Sequence, residues 1–145
     1  MTIDGIDVHD YTFDCLRREI AYVPQETVLL NGNIVDNIRL GRPDASIESI
    51  CEAAEEAGGM SSSRACPMGT THESANAASP SSPAQRQRIA LARAILVNPS
   101  ILVLDEPAEG AVERIIDRRR GVKTTIVVSQ RPMIVDRVVE LCGTL

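Results

Sequence analysis

Two adjacent carboxylates, Asp105 and Glu106, close a run of four apolar residues, Ile101-Leu102-Val103-Leu104, and Pro107 follows them. Four apolar residues in a row fit a strand buried on both faces of a parallel sheet. In open α/β sheets the carboxyl ends of the strands are where ligands bind. An Asp placed there can hold Mg²⁺, directly or through water, beside nucleotide phosphates. A Glu beside it can polarise an attacking water. Taken alone the pattern has two readings, because many buried strands end in acidic turns that perform no chemistry.

The elements that must position these carboxylates are legible on both sides. Gln85 to Val97 predicts a helix, with Ile89, Ala92 and Leu96 on one face, Arg86 and Arg93 on another, and Asn98-Pro99 as its stop. Ala108 to Arg120 predicts a second helix from the spacing of Val112, Ile115, Ile116 and Arg119. Its early Glu109 and Glu113 and late arginines suit the helix dipole, and Gly121 can end it. Thr124 to Val128 reads as a β-branched strand, and Val135 to Leu141 as a candidate last strand. Further upstream, Ile20-Ala21-Tyr22-Val23 predicts a strand ending at Gln25, since Pro24 biases Val23 toward extended geometry. Ser46 to Ala57 carries a helix signature capped by Ser46 and ended by Gly58. Met1 to Val8 reads as a strand end and a turn broken at Gly5, and Val28 to Leu40 has a mixed pattern around Asn31-Gly32. From Met60 to Ala84 there is no Val, Ile, Leu or aromatic residue, so that stretch is expected to be loop-like or disordered. Strands alternating with helices predict an α/β fold with a mainly parallel sheet.

Composition narrows the function classes. Of 145 residues 43% are hydrophobic, but with two Tyr, one Phe and no Trp the core must be aliphatic. A net charge of −5 argues against a nucleic-acid binder that works through a basic surface. Arg118-Arg119-Arg120 is the one dense basic run and reads as a solvated helix end. Cys15, Cys51, Cys66 and Cys142 form no CxxC pair and read as reduced thiols. His9 and His72 read as surface histidines. No signal peptide and no bilayer-length apolar run is present in this sequence, so any membrane role passes through another chain or segment. Lys123 is the single lysine.

The run Gln85-Arg86-Gln87-Arg88-Ile89-Ala90-Leu91-Ala92-Arg93-Ala94-Ile95-Leu96, then Asn98-Pro99, then the strand and Asp105-Glu106-Pro107, closely resembles the ABC ATPase family. It is similar to the end of the signature motif, its helix and the Walker B strand, without a gap. Leu16 to Glu26 resembles the Q-loop segment, and Leu30 to Gly41 the exporter-type segment that receives coupling helices of a transmembrane domain. The resemblance implies an incomplete P-loop NTPase sheet, lacking the P-loop strand and helix, with 28–84 as a helical subdomain remnant and 85–145 as the Walker B half of the core. It further implies ATP and Mg²⁺ as cofactors. Asp105 and Gln25 would serve the metal, Gln25, Ser82 and Gln85 the nucleotide, and Glu106 would be the general base. A transmembrane domain and a second nucleotide-binding domain are the implied partners, at the cytoplasmic face of a membrane. Transport selectivity in this family lies in the membrane domain.

The sequence departs from that family at four places. No glycine-rich loop with Gly-Lys-Ser/Thr is present, and Lys123 has the wrong neighbours, so it reads as a helix-end cation. The signature glycines are replaced by Pro83 and Ala84, and Pro83 has no N–H to offer a phosphate. Ala108-Glu109-Gly110-Ala111 stands where the D-loop should follow. Gln130 takes the place of the switch histidine, keeping an amide but no imidazole. Glu73 is a weak relic of the segment before the signature. The expected function is the ATP-binding subunit of an ABC exporter with impaired catalysis. The alternatives are a non-catalytic interaction module and a functionless product of a truncated reading frame. Loss of the P-loop strand and helix predicts exposed apolar sheet surface and marginal stability.

Overall fold

The computed structural model describes residues 2–3, 5–58, 82–107 and 111–129. The strand expected at Val135 to Leu141, together with Gln130, His72, Glu73, Cys66 and Cys142, lies outside the described residues, as do residues 108–110.

Thr2–Ile3 (β1) and Ile6–Asp7 (β2) pair antiparallel around Gly5, whose φ of 81° suits a residue without a Cβ. A short 3₁₀ turn, Val8–Asp10, follows. Helix α1 spans Phe13–Glu19, with the Thr12 hydroxyl accepting from the amide of Cys15. Strand β3 is Ile20–Val23, two residues shorter at its end than expected, since Pro24 has no N–H for the ladder. Helix α2, Ile34–Arg39, opens on an Asn33 cap inside the stretch of mixed pattern. Helix α3, Ile47–Glu56, starts at the predicted Ser46 cap. Helix α4, Pro83–Val97, begins two residues before the predicted start. Proline is well suited to a first helical position, where no N–H is needed. Asn98 ends α4 in the left-handed region, at φ 59°. Strand β4 is Ile101–Asp105, helix α5 Ala111–Arg119 and strand β5 Thr124–Val128.

The principal sheet has the order β3-β4-β5 with both pairings parallel. Tyr22, Val103 and Ile126 are in register across it. Because side chains alternate along a strand, Ala21, Val23, Leu102, Leu104 and Val127 share the opposite face. That face joins one core with Ile38, Ile50, Ile89, Leu96 and Ile115. Helix α4 is at the centre of it, with Ile89, Ala90, Leu91, Ala92, Ala94 and Leu96 all buried. The face that carries Tyr22, Ile126 and Val128 is open, at 57%, 45% and 53% exposure. This agrees with the apolar surface expected from the sequence.

Two readings need correction. Arg119 is buried, not solvated: its guanidinium donates to the carbonyls of Pro99 (2.9 Å), Ser100 (3.5 Å) and Thr124 (3.4 Å) and to Thr125 Oγ1 (3.1 Å). Its position on the apolar stripe of α5 turns it inward, where loop carbonyls provide the acceptors. Arg118 and Arg120 are exposed as expected, and Arg118 pairs with Glu56 at 3.3 Å. Cys15 is a free, exposed thiol as read, whereas Cys51 is disulfide-bonded rather than reduced, a pairing that no CxxC spacing announces.

Candidate functional site

The parallel register brings the carboxyl ends of β3, β4 and β5 side by side. Val23 is level with Leu104, so Pro24 and the exposed Gln25 continue past the end of β3 beside Asp105. Asp105 is level with Val128, so Ser129 continues β5 beside Glu106. Gln25, Asp105 and Glu106 therefore stand at or just past the carboxyl ends of the neighbouring strands β3 and β4.

Asp105 accepts a hydrogen bond from the Tyr22 hydroxyl at 2.8 Å. That bond stabilises the neutral phenol and pushes Tyr22 above the ordinary phenol range, helped by desolvation and the negative charge of Asp105. Tyr22 was not among the expected site residues. Its partner is on a strand far along the chain, and the only sequence signal for it is its position two residues before Pro24.

Glu106 has φ 45°, a conformation uncommon for a residue with a side chain. Three contacts from two segments, α4 and the end of β5, meet there. Its N–H donates to the Val128 carbonyl at 2.8 Å. Its own carbonyl accepts from Gln87 Nε2 at 3.0 Å, and its carboxylate accepts from Ser129 Oγ at 3.3 Å. Neither Gln87 nor Ser129 was expected at the site, though both flank residues that were.

Ser82 and Gln85 stand at the start of α4 and are engaged with each other. Ser82 Oγ accepts from the Gln85 amide at 3.2 Å, and Gln85 Oε1 accepts from the Ser82 amide at 3.4 Å. This is a capping box, which satisfies two of the helix's open donors internally. With Pro83 at the first position, Ala84 supplies the first-turn amide that the box leaves unused. The start of α4 is thus self-capped through Ser82 and Gln85, and Pro83 adds no N–H there.

Lys123 is at the other end of the sheet. Its ammonium donates to the Asn98 carbonyl (2.8 Å) and to Asn98 Oδ1 (2.5 Å), so it caps α4 as a helix-end cation. Asp105 is level with Val128, five residues on from Lys123, so about 16 Å of strand separates Lys123 from that edge at ~3.3 Å per residue. Burial and the nearby Arg119 charge lower its affinity for a proton.

The segment from Leu30 to Gly41 is anchored on α4. Asn37 is buried, its Oδ1 accepting from the Leu30 amide (2.9 Å) and its Nδ2 donating to the carbonyls of Leu30 (2.9 Å) and Asn33 (3.0 Å). Arg93 donates through Nε to the Asn37 carbonyl (2.9 Å) and through Nη2 to Asn37 Oδ1 (3.3 Å). Burial lowers the Arg93 pKa from its ordinary value. Gly41 presses on the same helix: a Cβ there would be 2.3 Å from the Arg93 carbonyl oxygen. Val28, Leu30 and Leu40 remain exposed on the outer side.

The sequence profile described as "ABC transporter" matches residues 1–109. The chain belongs to the ABC transporter family. It is 39% identical over 88% of its length to heavy metal tolerance factor 1 of Caenorhabditis elegans, spanning 17% of that protein. It is 36% identical over 97% of its length to the ATP-dependent lipid A-core flippase of Neisseria gonorrhoeae (strain ATCC 700825 / FA 1090), spanning 24% of that protein. Among solved structures it resembles a bacterial Atm1-family ABC exporter with ATP bound, with a TM-score of 0.70 and 32% identity, covering 92% of this chain and 25% of that one. The chain therefore spans a quarter or less of the length of these relatives. The α/β parallel sheet and the exporter kinship stand as read from the sequence. Among the described residues no helix is long and apolar enough to cross a membrane.

Proposed function

We propose that the chain is the ATP-binding part of an ABC exporter, coupling nucleotide binding to transmembrane transport, with impaired hydrolysis. The carrying observation is the placement of Asp105 and Glu106 at the carboxyl end of β4, beside the end of β3 that leads to Gln25. In this reading 28–84 corresponds to a helical subdomain remnant and 85–145 to the Walker B half of the core.

The oxygen donors fit Mg²⁺, which takes one or two carboxylates and otherwise waters or phosphate oxygens. Asp105 and Gln25 would hold it, and when bound it would offset charge on the phosphates. The phosphate cradle does not fit: the only lysine caps Asn98, and the start of α4 caps itself. No hydrolytic step is therefore assigned to this chain alone. Glu106 would polarise water and Gln130 would take the switch-histidine position. Ser82 and Gln85 would face nucleotide only if their capping box opened. The exposed Val28, Leu30 and Leu40, held on α4 through Asn37, favour docking on a transmembrane partner at the cytoplasmic side of a membrane. They also suit the second reading, a non-catalytic module paired with an intact cassette.

Two measurements test the proposal. The purified chain is expected to show no Mg²⁺-dependent ATPase activity. Turnover that vanishes in Glu106→Gln would overturn the claim of impaired hydrolysis. Co-purification with a complete ABC exporter is expected to weaken in Leu30→Asp, and no retention of the wild-type chain would overturn the coupling role.

A further inference from the structure

Glu106, the residue after β4, is hydrogen-bonded to both α4 and β5 through a backbone held at φ 45°. A residue with a side chain is uncommon at φ 45° and persists there only where its surroundings over-determine it. Two backbone contacts do this. The Val128 carbonyl fixes the Glu106 N–H from β5, and Gln87 Nε2 fixes the Glu106 carbonyl from α4. Ser129 then receives the carboxylate.

We propose that Gln87 is a positioning residue for Glu106. Helix α4 presents Ser82 and Gln85 at its start and, one turn later, grips the peptide that aims the carboxylate. A change at the start of α4 is thereby felt at Glu106 within the same chain. The catalytic meaning of this contact rests on the reading of Glu106 as general base, but the contact itself can be tested without it.

The test is amide exchange at Glu106, followed by NMR on the ¹⁵N-labelled chain. Gln87→Met keeps the length of the side chain and removes the donor. Loss of one net hydrogen bond corresponds to about a fivefold rise in exchange. That rise is expected at Glu106, with changes below about twofold at Leu102, Leu104 and Ile89. In a Glu106→Gly background the left-handed conformation carries no side-chain penalty, so Gln87→Met is expected to raise exchange at residue 106 by less than about twofold. Should Gln87→Met not fold, Gln87→Glu removes the same donor and serves the same comparison.

Unchanged exchange at Glu106, a parallel rise throughout β4 and α4, or equal effects in the two backgrounds would each overturn the proposal. None of these results depends on ATP turnover. A failure here leaves the general-base reading standing, and an inactive Glu106 leaves the positioning contact standing.

Discussion

Asn37→Ala should be among the costliest polar substitutions in this chain. The side chain makes three bonds of 3.0 Å or less, to the Leu30 amide, the Leu30 carbonyl and the Asn33 carbonyl, and a longer one to Arg93 Nη2 at 3.3 Å. At ~1 kcal/mol net for each good bond the loss is about 3 kcal/mol. Water reaching the exposed Leu30 recovers part of it, and the gap left beside Arg93 adds part back. With a urea dependence of about 2 kcal/mol per molar, the unfolding midpoint should fall by about 1.5 M. The thermal midpoint should drop by about 10 °C at ~3 °C per kcal/mol for a domain of this size. Equilibrium urea denaturation followed by circular dichroism reads the effect. Combining Asn37→Ala with Arg93→Met should give a coupling energy of only about 0.5–1 kcal/mol. The reason is that Arg93 Nε bonds the Asn37 backbone carbonyl, which survives truncation of the side chain. A midpoint shift below about 0.3 M would show that Asn37 does not anchor the segment, and zero coupling would show that Arg93 engages the backbone alone.

Other substitutions have equally definite outcomes. Arg119→Met strands the carbonyls of Pro99 and Thr124 and should cost about 2–4 kcal/mol, whereas the exposed Arg120→Met should change stability by less than about 0.5 kcal/mol in the same denaturation assay. Gly41→Ala places a methyl group against the Arg93 backbone and should lower stability by about 2 kcal/mol or more, read as a lowered thermal midpoint. Tyr22 should ionise above the ordinary phenol range near ~10, and Asp105→Asn should bring it down; ultraviolet titration of the phenolate reads both. The sign follows from the bond: the folded state favours the neutral phenol, so its contribution is complete below the unfolded pKa and is lost as pH rises through the raised folded one. An Asp105→Asn variant with an unchanged Tyr22 titration would show that the hydrogen bond does not exist in solution.

Local pattern made the longer elements readable. The Ser46 cap and helical spacing marked α3, and four apolar residues in a row marked β4. Helices α1 and α2 were missed because they have seven and six residues, too few to establish a period, and are set by the Thr12 and Asn33 caps and by packing. Asp105 and Glu106 were legible because chemistry and strand end coincide in adjacent positions. Tyr22, Gln87 and Ser129 were not, because each meets its partner only after the sheet has formed. Arg119 was misread for a related reason: its charge suggested solvent, while its acceptors are carbonyls of a loop and a neighbouring strand. The capping box at Ser82 and Gln85 shows a further limit of motif matching. Residues kept in a motif's positions can be satisfied by each other rather than by a ligand.

The parallel pairing of β3 with β4 joins residues on either side of the excursion from Pro24 to Ser100. The entropy of closing such a loop grows only with the logarithm of its length, so doubling it would cost about 0.6 kcal/mol. Insertions and deletions within the excursion are therefore nearly invisible to the sheet, provided Asn37, Gly41 and the buried face of α4 keep their seats. Length change within the excursion costs the sheet little, whereas it is expensive where Arg119 and Lys123 stitch α5 and β5 to the loop before β4. A lineage could reshape the first region for many generations before the fold registered the loss.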